Sequence, residues 1–107
     1  MAEKRELWFL SADGKTQVRA VEWLPDGEPM AVFQMTHGMI EHIDRYDDLG
    51  KYLSENGFYV VGHDHLGHGL SVAEGKPRLY FGPRGSWNTV VEDMFTIILL
   101  VLLPAVF

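Results

Sequence analysis

Residues 32–71, VFQMTHGMIEHIDRYDDLGKYLSENGFYVVGHDHLGHGLS, decide how this chain is read, and they hold all five of its histidines. Two short apolar runs, 30–36 and 58–62, each lead into a turn rich in His and Gly, and a segment of helical character joins them. Between Asp44 and Gly57 the apolar residues Tyr46, Leu49 and Leu53 fall on one helical face; Asp44 is the expected N-cap and Asn56-Gly57 the C-terminal stop. The run at 30–36 is almost unbroken by polar residues, as in a strand covered on both faces, and the run at 58–62 combines aromatic and β-branched residues. Strand, helix and strand in this order predict a right-handed βαβ unit with parallel strands. Open α/β sheets bind ligands beyond the carboxyl ends of their strands, so His37-Gly38 and His63-Asp64-His65 are expected on one edge.

Upstream, residues 7–11 and 16–23 are strand-like and flank Ala12-Asp13-Gly14-Lys15, which predicts an antiparallel hairpin. Downstream, a glycine-rich connection over 65–87 precedes a helix at 88–94, with Val90, Val91 and Met94 expected toward the sheet. Residues 95–107, FTIILLVLLPAVF, have no charge and no polar face. They are shorter than the roughly 20 residues that cross a bilayer, and Pro104 interrupts them.

A chain of 107 residues, 47% hydrophobic and 22% charged, suits one folded α/β domain. Its net charge of -6, with nine basic residues scattered among fifteen acidic ones, argues against a nucleic-acid partner. There is no cysteine, and the apolar run nearest the start covers only residues 7–10, so a cytoplasmic location is expected.

Two turns carry the candidate chemistry. In His37-Gly38-Met39-Ile40-Glu41-His42, a glycine after a buried strand turns the backbone sharply and aims the Met39 amide into the cleft, as an oxyanion hole requires. The alternative is a tight turn whose histidines bond the local backbone. In the second turn, His63, His65 and His68 follow a metal-hydrolase spacing, H-x-H-x-D-H, except that Gly67 stands where its Asp belongs. A His-based metal site and a loop of hydrogen-bonded histidines both remain open there. Glu41 and Arg45 are expected to form a loop-shaping ion pair, and Trp8, Trp23 and Trp87 to pack.

Three strings, HGMIEHIDRY (37–46), DHLGHGLS (64–71) and GSWNTVVEDM (85–94), resemble in sequence and order the α/β-hydrolases of the monoacylglycerol lipase and lysophospholipase group, the serine aminopeptidase S33 type. The resemblance covers most of residues 7–94 and implies that 1–94 form the N-terminal part of an α/β-hydrolase domain. It implies an oxyanion-hole amide at Met39, supported by His37, Gly38, Glu41 and His42, and a structural loop carried by Asp64, Gly67, His68, Gly69 and Ser71. A small ester or monoacyl lipid is the implied substrate of complete relatives, with no metal or organic cofactor.

The family's nucleophile sits in G-x-S-x-G, with its acid and base later in the chain. Ser11, Ser54, Ser71 and Ser86 are the serines here, none in that motif, so no triad member is expected and hydrolysis by these residues alone should be close to nil. The resemblance fades after Met94, and 95–107 read as an apolar tail, out of frame or truncated. An alternative is a non-catalytic segment that contacts a membrane or partner through that tail. The family also flanks its third strand with the fourth and fifth; without the fifth, an apolar edge and self-association are expected.

Overall fold

The computed structural model describes residues 3–38, 41–72, 75 and 87–106, with side chains as far as residue 100. Strands β1 (Glu3–Leu10) and β2 (Gln17–Leu24) form the antiparallel hairpin, with Leu10 opposite Gln17. Asp13 closes its loop: one carboxylate oxygen accepts the amides of Lys15 and Thr16 at 2.7 and 2.8 Å, the other accepts the Thr16 hydroxyl at 2.6 Å. Gly14 beside it has φ 75, where a side chain would be strained.

Strand β3 (Ala31–Met35), helix α1 (Asp47–Glu55) and strand β4 (Phe58–His63) form the expected βαβ unit, and β3 pairs parallel with β4. Gly57, at φ 94, ends the helix, and the amides of Asn56 and Gly57 bond the carbonyls of Leu53 and Ser54. Among the described residues the sheet order is β1-β2-β4-β3. One face carries Phe9, Val18, Ala20 and Val61 beneath Ile97 of helix α2 (Trp87–Val106); the other carries Val21, Trp23, Met35 and Val60 with Ile43, beside α1.

Asp44 is not a helix cap. It lies inside a 3-10 turn, Ile43–Tyr46, and Tyr46 occupies the N-cap position of α1 without a side-chain cap bond. Its carboxylate instead accepts hydrogen bonds from Arg19 at 3.0 Å and Lys4 at 3.2 Å. Two cations outcompete backbone amides for a carboxylate. Leu49 is 43% exposed, and the helix turns Gly50 and Ser54 inward, with Tyr46 and Leu53 packed against the core. Gly50 sits against the Trp23 ring, where a Cβ would overlap the indole.

The run 30–36 was read as covered on both faces, yet of β3 only Met35 is buried; among the described residues β3 pairs with β4 alone, the apolar edge that the resemblance led one to expect. Helix α2 runs without interruption from Trp87 past Met94 to Val106. Val91 is exposed rather than facing the sheet, and Asp93 and Ile97 are the buried positions. Phe95, Leu99 and Leu100 are exposed, and no helix among the described residues is long and apolar enough to cross a membrane.

Asp93 anchors α2 to the hairpin loop. It accepts the Ser11 hydroxyl and the Ala12 amide, both at 2.8 Å, and burial pushes its carboxyl above the usual range. Asp93→Ala leaves two donors without their acceptor and should cost about 2 kcal/mol, read as a lower chemical-denaturation midpoint. A variant as stable as wild type would show that the anchor contributes nothing.

Candidate functional site

The carboxyl ends of the parallel strands β3 and β4 lie side by side and deliver His37 and His65 to each other. The His65 amide donates to His37 Nε2 at 2.9 Å, and His65 Nε2 bonds the His37 carbonyl at the same distance. Since His37 Nε2 accepts, its proton sits on Nδ1, which donates to the Gly38 carbonyl at 2.7 Å. His68 Nδ1 bonds the Leu66 carbonyl at 3.1 Å. The rings cluster at tilted and edge-on angles: centroids are 4.2 Å apart for His37 and His65, 4.9 Å for His63 and His65, and 5.1 Å for His37 and His68.

The environment favours the neutral imidazole at His37, His63 and His65. Burial first, then the neighbouring rings, pushes His63 down to about 3 and His65 down to about 4. Burial also lowers His37. Both ring nitrogens of His63, with His65 Nδ1 and His68 Nε2, are buried without a hydrogen-bond partner among the described residues. No three His, Cys, Asp or Glu side chains among the described residues are placed to hold a metal ion. His42, by contrast, precedes the 3-10 turn in extended backbone and is exposed.

The turn after β3 is held by Glu41. Its carboxylate accepts the Gly38 amide at 2.6 Å and the Tyr46 hydroxyl on its other oxygen, and these contacts, the Tyr46 bond first, hold it below the usual carboxylate range. Arg45 stands 3.8 Å away, the expected ion pair, but is the weaker partner. Gly38 is required by this approach rather than by its backbone angle: a Cβ there would lie 2.6 Å from Glu41 Oε2. Met39, the expected oxyanion-hole residue, lies outside the described residues.

Asp64 organises the second turn. It is 1% exposed, and its oxygens accept the Ile43 amide at 2.7 Å and the Leu70 amide at 3.1 Å, with Arg19 at 3.6 Å. Gly69, at φ 51, packs against that carboxylate so closely that a Cβ would overlap it, and Gly67 has φ 83. Ser71 Oγ accepts the Arg19 amide at 2.8 Å, while the Gly67 amide reaches the Ser71 carbonyl at 2.7 Å. Ser71 is therefore a structural clasp. Asp64→Ala removes the acceptor of two amides and a partner of Arg19, and should cost about 3 kcal/mol by denaturation; a loss below 1 kcal/mol would refute its organising role.

Between the two turns and the start of α2 lies a pocket of about 260 Å³ lined by His37, Gly38, His65, His68, Trp87, Val90 and Val91. The three α2 residues were not foreseen as site residues. Their signal was the string around Trp87, which the resemblance included but which spacing alone gave no reason to bring against His37.

The model of the serine aminopeptidase S33 family matches residues 27–102. The chain belongs to this family. S33 relatives include the monoglyceride lipase of Rattus norvegicus, 44% identical over 52 residues, which are 49% of this chain and 17% of that protein. Protein K6 of Vaccinia virus (strain Western Reserve) is 41% identical over 54 residues, 50% of this chain and 67% of that protein. Among solved structures, a thermostable carboxyl esterase from Bacillus coagulans, in complex with glycerol, superimposes with TM-score 0.82 at 34% identity, covering 92% of this S33 chain and 31% of the esterase. A lipase in its open form gives 0.81 at 31% identity, covering 91% and 31%. The alignment to the rat lipase thus takes in only a small part of that protein's length, and the fold is that of the α/β-hydrolases.

Proposed function

We propose that this S33 segment forms the oxyanion-side wall of an ester pocket of the monoacylglycerol lipase type, and that these 107 residues do not turn over an ester by themselves. The observation that carries the reading is the pocket between the Glu41-locked turn and the valines of α2. Apolar valines and Trp87 suit an acyl chain, the imidazoles of His37, His65 and His68 line the opposite wall, and Met39, the residue after Gly38, is the proposed source of the oxyanion amide. In a complete hydrolase a serine oxygen attacks the ester carbonyl, the negative charge that develops on the carbonyl oxygen is held by backbone amides, and the alcohol leaves as the tetrahedral intermediate collapses.

No serine of this chain lies in G-x-S-x-G. Ser11 is bonded to Asp93, Ser54 to the Lys51 carbonyl and Ser71 to the Arg19 amide, so no described serine has an imidazole as its base. Incubating the purified chain with p-nitrophenyl butyrate, a monoacylglycerol and a fluorophosphonate probe should give no saturable hydrolysis and no labelled serine. Labelling of one serine with matching turnover would overturn the non-catalytic half of this reading.

A further inference from the structure

The exit of α1 is chemically reactive as well as structural. The chain has two asparagines, and of these Asn56 precedes a glycine whereas Asn88 precedes Thr89. In an Asn-Gly pair the glycine nitrogen has no side chain beside it to shield it, and it can attack the Asn side-chain carbonyl to close a five-membered imide. Asn56 is exposed and follows the helix at φ -102, ψ 19. Three hydrogen bonds hold it out of the reactive geometry. Its Nδ2 donates to the Tyr52 carbonyl at 2.7 Å, its own amide to the Leu53 carbonyl at 3.1 Å, and the Gly57 amide to the Ser54 carbonyl at 3.1 Å. At this ψ the Gly57 nitrogen is turned away from the Asn56 Cβ, whereas ring closure needs the two nearly eclipsed about the bond between them. Attack therefore requires the last turn of α1 to open, and helix ends are where folded chains open at least cost.

We propose that Asn56 is a site of spontaneous, one-way covalent modification whose rate is set by opening of the last turn of α1. With that turn open, solvent base removes the Gly57 amide proton, the nitrogen bonds to Asn56 Cγ, and the side-chain nitrogen leaves as ammonia. Water then opens the imide at one or the other carbonyl, leaving aspartate or isoaspartate at position 56. Both products weaken the junction. An ionised aspartate cannot donate to the Tyr52 carbonyl, and it sets a negative charge against the negative end of the helix dipole, beside Glu55. An isoaspartate adds a methylene to the backbone between two fixed points, the Ser54 carbonyl that holds the Gly57 amide and strand β4, which starts at Phe58 opposite Ala31. The Gly57 carbonyl, which accepts the Met30 amide at 2.8 Å, is displaced with it. A copy that has opened is thereby marked, and it closes less well. Asp13-Gly14 and Asp26-Gly27 are poorer sites for the same chemistry, since an ionised carboxylate resists attack by a nucleophile. This inference does not depend on the esterase reading.

The test holds the full chain at mildly alkaline pH, folded and in concentrated guanidinium, and follows each asparagine by peptide mass mapping, which reads the gain of one mass unit, and by an enzymatic assay for isoaspartate. Modification at position 56 should run about tenfold or more faster in guanidinium than in the folded chain, with Asn88 unmodified over the same time. Trp23→Phe, which loosens α1 on the sheet, should raise the folded rate several-fold and leave the guanidinium rate unchanged. Should that variant fail to fold, the wild-type rate is followed instead at guanidinium concentrations below the unfolding transition, where it should rise with denaturant. Equal rates in the folded and unfolded chain, Asn88 modified as fast as Asn56, no modification at position 56 in guanidinium, or a folded rate indifferent to Trp23→Phe or to denaturant would each overturn the proposal.

Discussion

Truncating Trp23 to alanine is expected to remove about 3–5 kcal/mol of stability, the cost of emptying the largest buried side chain in the fold. Trp23 is 1% exposed and lies where β2 meets α1: Gly50 packs directly on its ring, and its indole donates to Asp47 at 2.9 Å. The helix meets the ring with Gly50, which has no side chain to refill that space. A domain of this size has a total stability of about 5–15 kcal/mol, so the variant should lose a large share of it. Trp23→Phe keeps most of the ring but loses the bond to Asp47, and should cost about 1–2 kcal/mol. Chemical denaturation followed by circular dichroism separates the two variants, and equal losses would mean that packing on Gly50 is not what the indole contributes.

Acidification from pH 6.5 to 4 should destabilise the fold by several kcal/mol, more than the carboxylates alone explain. The histidines titrate near 6.5 when unfolded, whereas His63 is pushed down to about 3 and His65 to about 4 by burial among other imidazoles. Below pH 6.5 the unfolded chain therefore binds protons that the folded chain refuses. Stability is complete above 6.5 and falls as the pH drops toward the folded values, by on the order of 3–6 kcal/mol for the pair. His63→Phe replaces a buried ring whose nitrogens have no partner by an apolar ring, and it should flatten the fall in melting temperature between pH 6.5 and 4. An unchanged slope in that variant would place the acid sensitivity elsewhere.

The hairpin and the βαβ unit were legible because their signals are local. Asp13 reaches amides two and three residues on, and Gly57 stops α1 with its own positive φ. The convergence of His37 and His65 was legible too, since parallel strands must end on the same edge. What was not legible depended on distant partners. Asp44 has the residue type and position of a cap, but Arg19 and Lys4, brought to it by the hairpin, take its carboxylate. Leu49 fits the helical period better than Gly50, yet the Trp23 ring occupies the space above the helix and admits only a glycine. The apolar run 30–36 reads as a covered strand by composition, and only the family resemblance, which sets the sheet order, pointed to an exposed edge there. Asp93 looked like one more acid on a helix until Ser11 and Ala12 met it across the fold.

The central claim is the proposal that residues 27–102 carry an S33 oxyanion wall whose turn is shaped by Glu41 and Gly38. The most direct measurement grafts residues 27–102 in place of the structurally equivalent segment of the Bacillus coagulans carboxyl esterase and follows hydrolysis of p-nitrophenyl butyrate. The account predicts a folded chimera that hydrolyses the ester, with kcat reduced by Glu41→Ala while KM changes little, because that turn acts on the developing oxyanion rather than on ground-state binding. A folded chimera without activity, or one indifferent to Glu41→Ala, would contradict it.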